Sequence, residues 1–135
     1  MRHYCDFCKK AGGSSYHMRR HEQHCTLNPR RVCRICQRLG LAQPEMAAML
    51  ALLPDPALHR KDVEGWNTTI LDDDAIRPLI DEAMPRLRDM TAACPVCVMA
   101  ALRQRGIPVP LAESFNFTAE LKGVWEEVRA DEGPY

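Results

Sequence analysis

Two residues separate Cys5 from Cys8, three separate His21 from Cys25, and twelve lie between the pairs. Thiolate sulfur and imidazole nitrogen are the ligands Zn²⁺ takes in tetrahedral sites, and a tight turn plus one helix face can deliver four of them at this spacing. Cys33-x2-Cys36 and Cys94-x2-Cys97 use up the remaining cysteines. All seven cysteines therefore fall into two sets of four ligands: Cys5, Cys8, His21 and Cys25, then Cys33, Cys36, Cys94 and Cys97. Two Zn²⁺ per chain are expected. Each set is closed, with no open position for a substrate, so the expected role of the metal is structural.

A disulfide framework fits less well, because seven is odd and leaves one thiol over. The opening Met1-Arg2-His3-Tyr4 lacks the apolar core of a secretory signal, and no apolar stretch approaches the ~18–20 residues that span a bilayer. An intracellular, cytoplasmic setting is expected, where paired thiols bind metal more often than they oxidise. Plentiful alanine, arginine and proline favour a bacterial or viral origin. No Gly-rich phosphate loop, nucleophile elbow or H-E-x-x-H is present, and only His59 follows Cys36, which argues against a histidine-pair nuclease. An enzyme is not expected. The remote alternative is a thiol–disulfide oxidoreductase at Cys94 and Cys97, since Cys94-Pro95-Val96-Cys97 resembles the glutaredoxin motif. That fold places its motif early, after a strand, whereas the remainder of this chain reads as helix.

The elements that must position the first set follow from local chemistry. Gly12-Gly13 breaks structure, and Ser14 or Ser15 can cap a helix over Tyr16–Cys25. His21 and Cys25 stand i, i+4 on it and share a face. His17 follows Cys8 too closely and His24 follows His21 too closely to be the preferred ligands. Residues 4–25 thus resemble the C2H2-type zinc finger family in its C2HC variant, about twenty-two of 135 residues. Met18 stands where that family keeps a core leucine, but Gly12 stands where it keeps a core phenylalanine, so the mini-core is expected to be thin. The resemblance implies contacts to nucleic acid from Ser14, Tyr16, His17 and Arg20.

Thr26–Arg31, with Pro29, reads as a short polar linker, dividing the chain into a zinc finger (1–27) and a helical domain (28–135). Cys33/Cys36 reads as a knuckle and Cys94/Cys97 opens a helix, an arrangement resembling treble-clef-like zinc sites. Helices are predicted from Glu45 to about Leu53, from Asp72-Asp73-Asp74 until Pro85 ends or kinks it, over Arg86–Ala93, and over Val98–Arg105 with Gly106 closing it. Pro54–Ile70 carries little pattern beyond a possible extended piece at Trp66–Thr69. A last helix from Thr118 or Ala119 to about Ala130 presents Phe117, Leu121, Val124, Trp125 and Val128 on one face, with fraying expected from Asp131. The fold class is a small, mainly α, zinc-stabilised protein whose helical domain is braced by a four-cysteine site.

Net charge is zero, but it is unevenly spread. Residues 1–38 hold nine Lys/Arg against Asp6 and Glu22 (9 − 2 = +7), and the rest hold nine against sixteen acids (9 − 16 = −7). A basic head points to a polyanion, and nucleic acid is the expected partner, met by Lys9, Lys10, Arg19, Arg20, Arg30 and Arg31. The alternative is a protein-interaction or assembly module using the basic head or the Trp125 face. Neither a membrane nor a small-molecule substrate is expected.

Overall fold

Ser14 turns the chain from a short hairpin into its first helix. The computed structural model describes residues 1–132, with side chains described through residue 129. β1 (His3–Tyr4) and β2 (Ala11–Gly12) pair antiparallel, His3 opposite Gly12 and Tyr4 opposite Ala11. The Ser14 hydroxyl accepts from the His17 N–H and so caps α1 (Ser15–His24). The core of this N-terminal unit is Cys5, Met18 and Cys25, with Cys8 and Leu27 packed on it. A Cβ added at Gly12 would lie 3.3 Å from Met18 Cε. The methionine thus fills the space beside Gly12, and a core this small leaves much of its stability to its ligands.

The helical body begins with α2 (Arg34–Leu39), capped by Cys33 and closed by Gly40 in the left-handed region at φ 68°. The sequence reading has only a knuckle here; the helix starts because the Cys33 sulfur accepts from the Cys36 N–H and caps it. α3 (Met46–Leu52) follows. The unpatterned stretch contains a hairpin, β3 (Arg60–Asp62) against β4 (Thr69–Leu71), with Trp66 at its turn. Its strands are exposed on nearly every residue, so no alternation marks them.

α4 (Asp73–Met90) is one uninterrupted helix of 18 residues, capped by Asp72, which corrects the expected break at Pro85. Pro78 and Pro85 are seven apart, both on the exposed face, so the carbonyls they leave unpaired can bond to water. Ile76, Ile80, Met84 and Leu87 meanwhile hold the opposite face in the core. α5 (Pro95–Arg105) ends at Gly106 with φ 82°, as its glycine predicts. α6 (Phe117–Glu132) packs Leu121, Val124 and buried Val128 inward, while Trp125 stays 39% exposed. The helix continues past the expected fraying point at Asp131 as far as Glu132; residues 133–135 lie outside the described residues. No helix among the described residues is long and apolar enough to cross a membrane.

Candidate metal centres

The turn after β1 builds the first ligand pair. The Cys5 N–H donates to the Lys10 carbonyl (2.9 Å) and the Lys9 N–H to the Cys5 carbonyl (3.0 Å), with Lys9 left-handed at φ 64°. The N–H groups of Phe7 and Cys8 point at Cys5 Sγ, 3.4 and 3.5 Å away. α1 brings His21 and, at its C-cap, Cys25 to the same point. His21 Nε2 lies 3.2 Å from Cys8 Sγ, and the ligand atoms of Cys5, Cys8, His21 and Cys25 all lie within 4.8 Å of one another. His17 and His24 are not in this cluster: His17 meets the Tyr16 ring edge-on, and His24 Nδ1 faces the Val32 carbonyl at 2.7 Å.

The second set converges across the body. Cys33 and Cys36 come from the start of α2, Cys94 and Cys97 from the start of α5, and all four are buried. Cys33 Sγ lies 3.6 Å from Cys94 Sγ, and Cys36 Sγ lies 3.6 Å from Cys97 Sγ. A Zn–S bond of about 2.3 Å puts neighbouring sulfurs of a tetrahedron roughly 3.8 Å apart, against about 2.05 Å for a disulfide. The four sulfurs therefore have metal-site spacing, and all seven cysteines are free thiols. Cys94 reaches the site through a corner where Ala92 (φ 52°) and Ala93 (φ 60°) are both left-handed. Each costs about 1–2 kcal/mol for a residue with a Cβ, and the sequence carries no glycine to announce the turn.

Protonation in the metal-free sites is uneven. Burial pushes Cys8 up, but the Lys10 N–H and the neighbouring His21, Cys25 and Cys5 outweigh it and bring it down to about 6. Burial raises Cys25 to about 11, and burial with the negative charges of Cys97 and Cys33 raises Cys36 to about 12. Donation from Cys94 holds Cys33 well below the usual thiol range, and Cys94, the donor, is correspondingly raised.

Arg31 is the feature that sequence reasoning misplaced. Expected on phosphate, it is instead only 2% exposed. None of its Nε, Nη1 and Nη2 has a hydrogen-bond partner. Burial alone would lower its pKa, but the charges and sulfurs of Cys97 and Cys33 raise it. A guanidinium in a dry interior requires a buried anion. Four thiolates around Zn²⁺ carry a net charge of −2, so the orphaned cation and the donor set fit the same occupant. Gln43 holds this segment in place, accepting from Cys33 N–H at 2.6 Å and donating to the Arg31 carbonyl at 2.7 Å. A polar glutamine in a loop gave no sequence signal of that role.

The remaining expected contact residues stay outside. Lys9, Lys10, Tyr16, His17, Arg19, Arg20 and Arg30 are exposed, and Ser14 is half-buried as the cap of α1. The segment read as a linker is a bonded seam instead. Gln104 donates to the carbonyls of Thr26 (2.8 Å) and Asn28 (3.0 Å), Arg103 donates to the Thr26 hydroxyl, and Val32 N–H donates to the Gln23 carbonyl (2.8 Å). Comparison with protein-family models, with curated proteins and with solved structures found no match to this chain.

Proposed function

We propose that this protein is a zinc-stabilised nucleic-acid-binding module whose N-terminal unit, a C2HC variant of the C2H2-type finger, makes the contacts. Cys5, Cys8, His21 and Cys25 would hold one Zn²⁺, and Cys33, Cys36, Cys94 and Cys97 a second. Bound there, the metal supplies cross-links that fix turn to helix and α2 to α5.

One observation carries the reading. Lys10, Arg19, Arg20 and Arg30 are exposed around one small unit, and none of them is ion-paired among the described residues. The positive charge of the head is thus directed to solvent and not spent on the acidic body. Phosphate is the partner that rewards such a surface, through release of its condensed counterions.

Fluorescence anisotropy with labelled duplex DNA, single-stranded DNA and RNA, at two salt concentrations and with a chelated control, tests the reading. Zinc-dependent binding that weakens steeply with salt is expected, and Arg19→Ala/Arg20→Ala should weaken it and flatten its salt dependence. A protein-assembly role is the second reading, favoured by Trp66, 74% exposed at the β3–β4 turn. Absence of binding to all three probes at low salt would select it.

A further inference from the structure

The cleft where α1 meets the beginning of α2 encloses about 460 Å³ and is lined by His17, Arg20, His21, His24 and Arg34. Among the described residues no carboxylate lines it. The four α1 residues follow an i, i+3, i+4, i+7 pattern and share one face. Arg34 comes from the body, from beyond the seam.

The two sides are held in register. A ring nitrogen facing a carbonyl must carry the proton, so His24 Nδ1 donates to the Val32 carbonyl at 2.7 Å, leaving Nε2 for other partners. The Val32 N–H donates back to α1 at the Gln23 carbonyl, 2.8 Å away. Arg34 follows two residues later, so its backbone is fixed relative to Arg20. Among the described residues no hydrogen bond or ion pair engages either guanidinium. Two unpartnered cations on one cleft repel each other, and an anion seated between them reverses the sign of that interaction. Guanidinium forks match phosphate oxygens two at a time.

We propose that this cleft seats a backbone phosphate of bound nucleic acid, gripped from α1 by Arg20 and from the body by Arg34, with His17 and His24 at its margin. The inference rests on the nucleic-acid reading and deepens it: contact extends past the N-terminal unit onto the body.

The full zinc-loaded chain, titrated into labelled duplex and single-stranded DNA between about 50 and 200 mM salt, decides it. Arg34→Ala should weaken binding several-fold and lower the salt slope by about one, with zinc content unchanged. Arg34→Lys, which keeps the charge, should recover most of the affinity. Wild-type binding with an unaltered Arg34→Ala affinity and slope would overturn the seat and leave the nucleic-acid reading standing. No binding by the wild type would remove both. Inorganic phosphate separates the possible sources of the anion. A saturable shift of the His17 and His24 ring resonances by phosphate alone, lost in Arg34→Ala and without DNA binding, would assign the cleft to free phosphate and overturn the proposal.

Discussion

Arg31 concentrates the chemistry of the second centre in one side chain. Buried beside Cys33 and Cys97, it is placed to be the countercharge of the tetrathiolate that zinc would create there. Arg31→Met should therefore lower zinc affinity at this centre by about 10–100-fold, the range for groups that support metal ligands from behind. Competition with a chromophoric chelator measures it, and equal affinities would remove Arg31 from that role. The thiols predict a pH effect of definite sign. Cys36 at about 12 and Cys94, also raised, keep their protons at neutral pH, so zinc uptake must release at least those two. Affinity there should fall as pH drops, and an indicator dye in weak buffer at pH 7 should count at least two protons per metal at this centre. Cys8 in the first set also favours higher pH, through its own thiolate in the folded chain. Depressed to about 6 from 9.0, it contributes stability present above pH 9 that is lost as pH falls through about 6.

The left-handed corner Ala92-Ala93 after α4 determines where the second pair of thiols arrives, and a left-handed Gly106 ends the helix they open. Gly106 takes φ 82° with its nearest non-local atom 4.0 Å from an added Cβ, so Gly106→Ala should cost about 1–2 kcal/mol from conformation and not from collision. Ala93 holds φ 60° with a Cβ already in place, so Ala93→Gly should leave stability unchanged or raise it by up to about 1 kcal/mol. Chemical denaturation of the zinc-loaded variants checks both signs. The contrast also explains what could be read in advance. Gly106, Ser14, Asp72 and the C-x2-C pairs announce themselves because each residue type has one strong local reason to be there. The Ala92-Ala93 corner has no such residue, and the β3–β4 hairpin has too little burial to impose a period of two. Proline at position 85 suggested a break because local preference favours one, but the buried stripe from Ile76 to Leu87 holds α4 together across it. The two ligand sets were legible because metal geometry constrains spacing; Arg31 and Gln43 were not, since their roles depend on contacts that only the folded chain creates.

Hydrogen bonds link the two ligand clusters across the seam. Gln104 grips Thr26 and Asn28, and Val32 pairs with Gln23, so loss of order in the N-terminal unit should propagate into the body. Gln104→Ala should split a single melting transition into two, and a transition that stays single would show that the remaining seam bonds are sufficient. Cys97→Ser should cost one zinc per chain, measured by elemental analysis, and loosen α5 against α2. The separation of the second ligand pairs also sets an order of events during synthesis. The first set is complete once Cys25 is made, whereas Cys36 waits for Cys97, 61 positions later. At the usual ~5–20 residues per second that wait is roughly 3–12 s. Throughout it Cys33 and Cys36 are a half-built site with a cation beside them, open to oxidants and to metals other than the intended one. If both clusters take zinc as proposed, a newly made chain passes through a singly loaded state before it can reach the doubly loaded one, and its exposure to metal stress is concentrated in that interval.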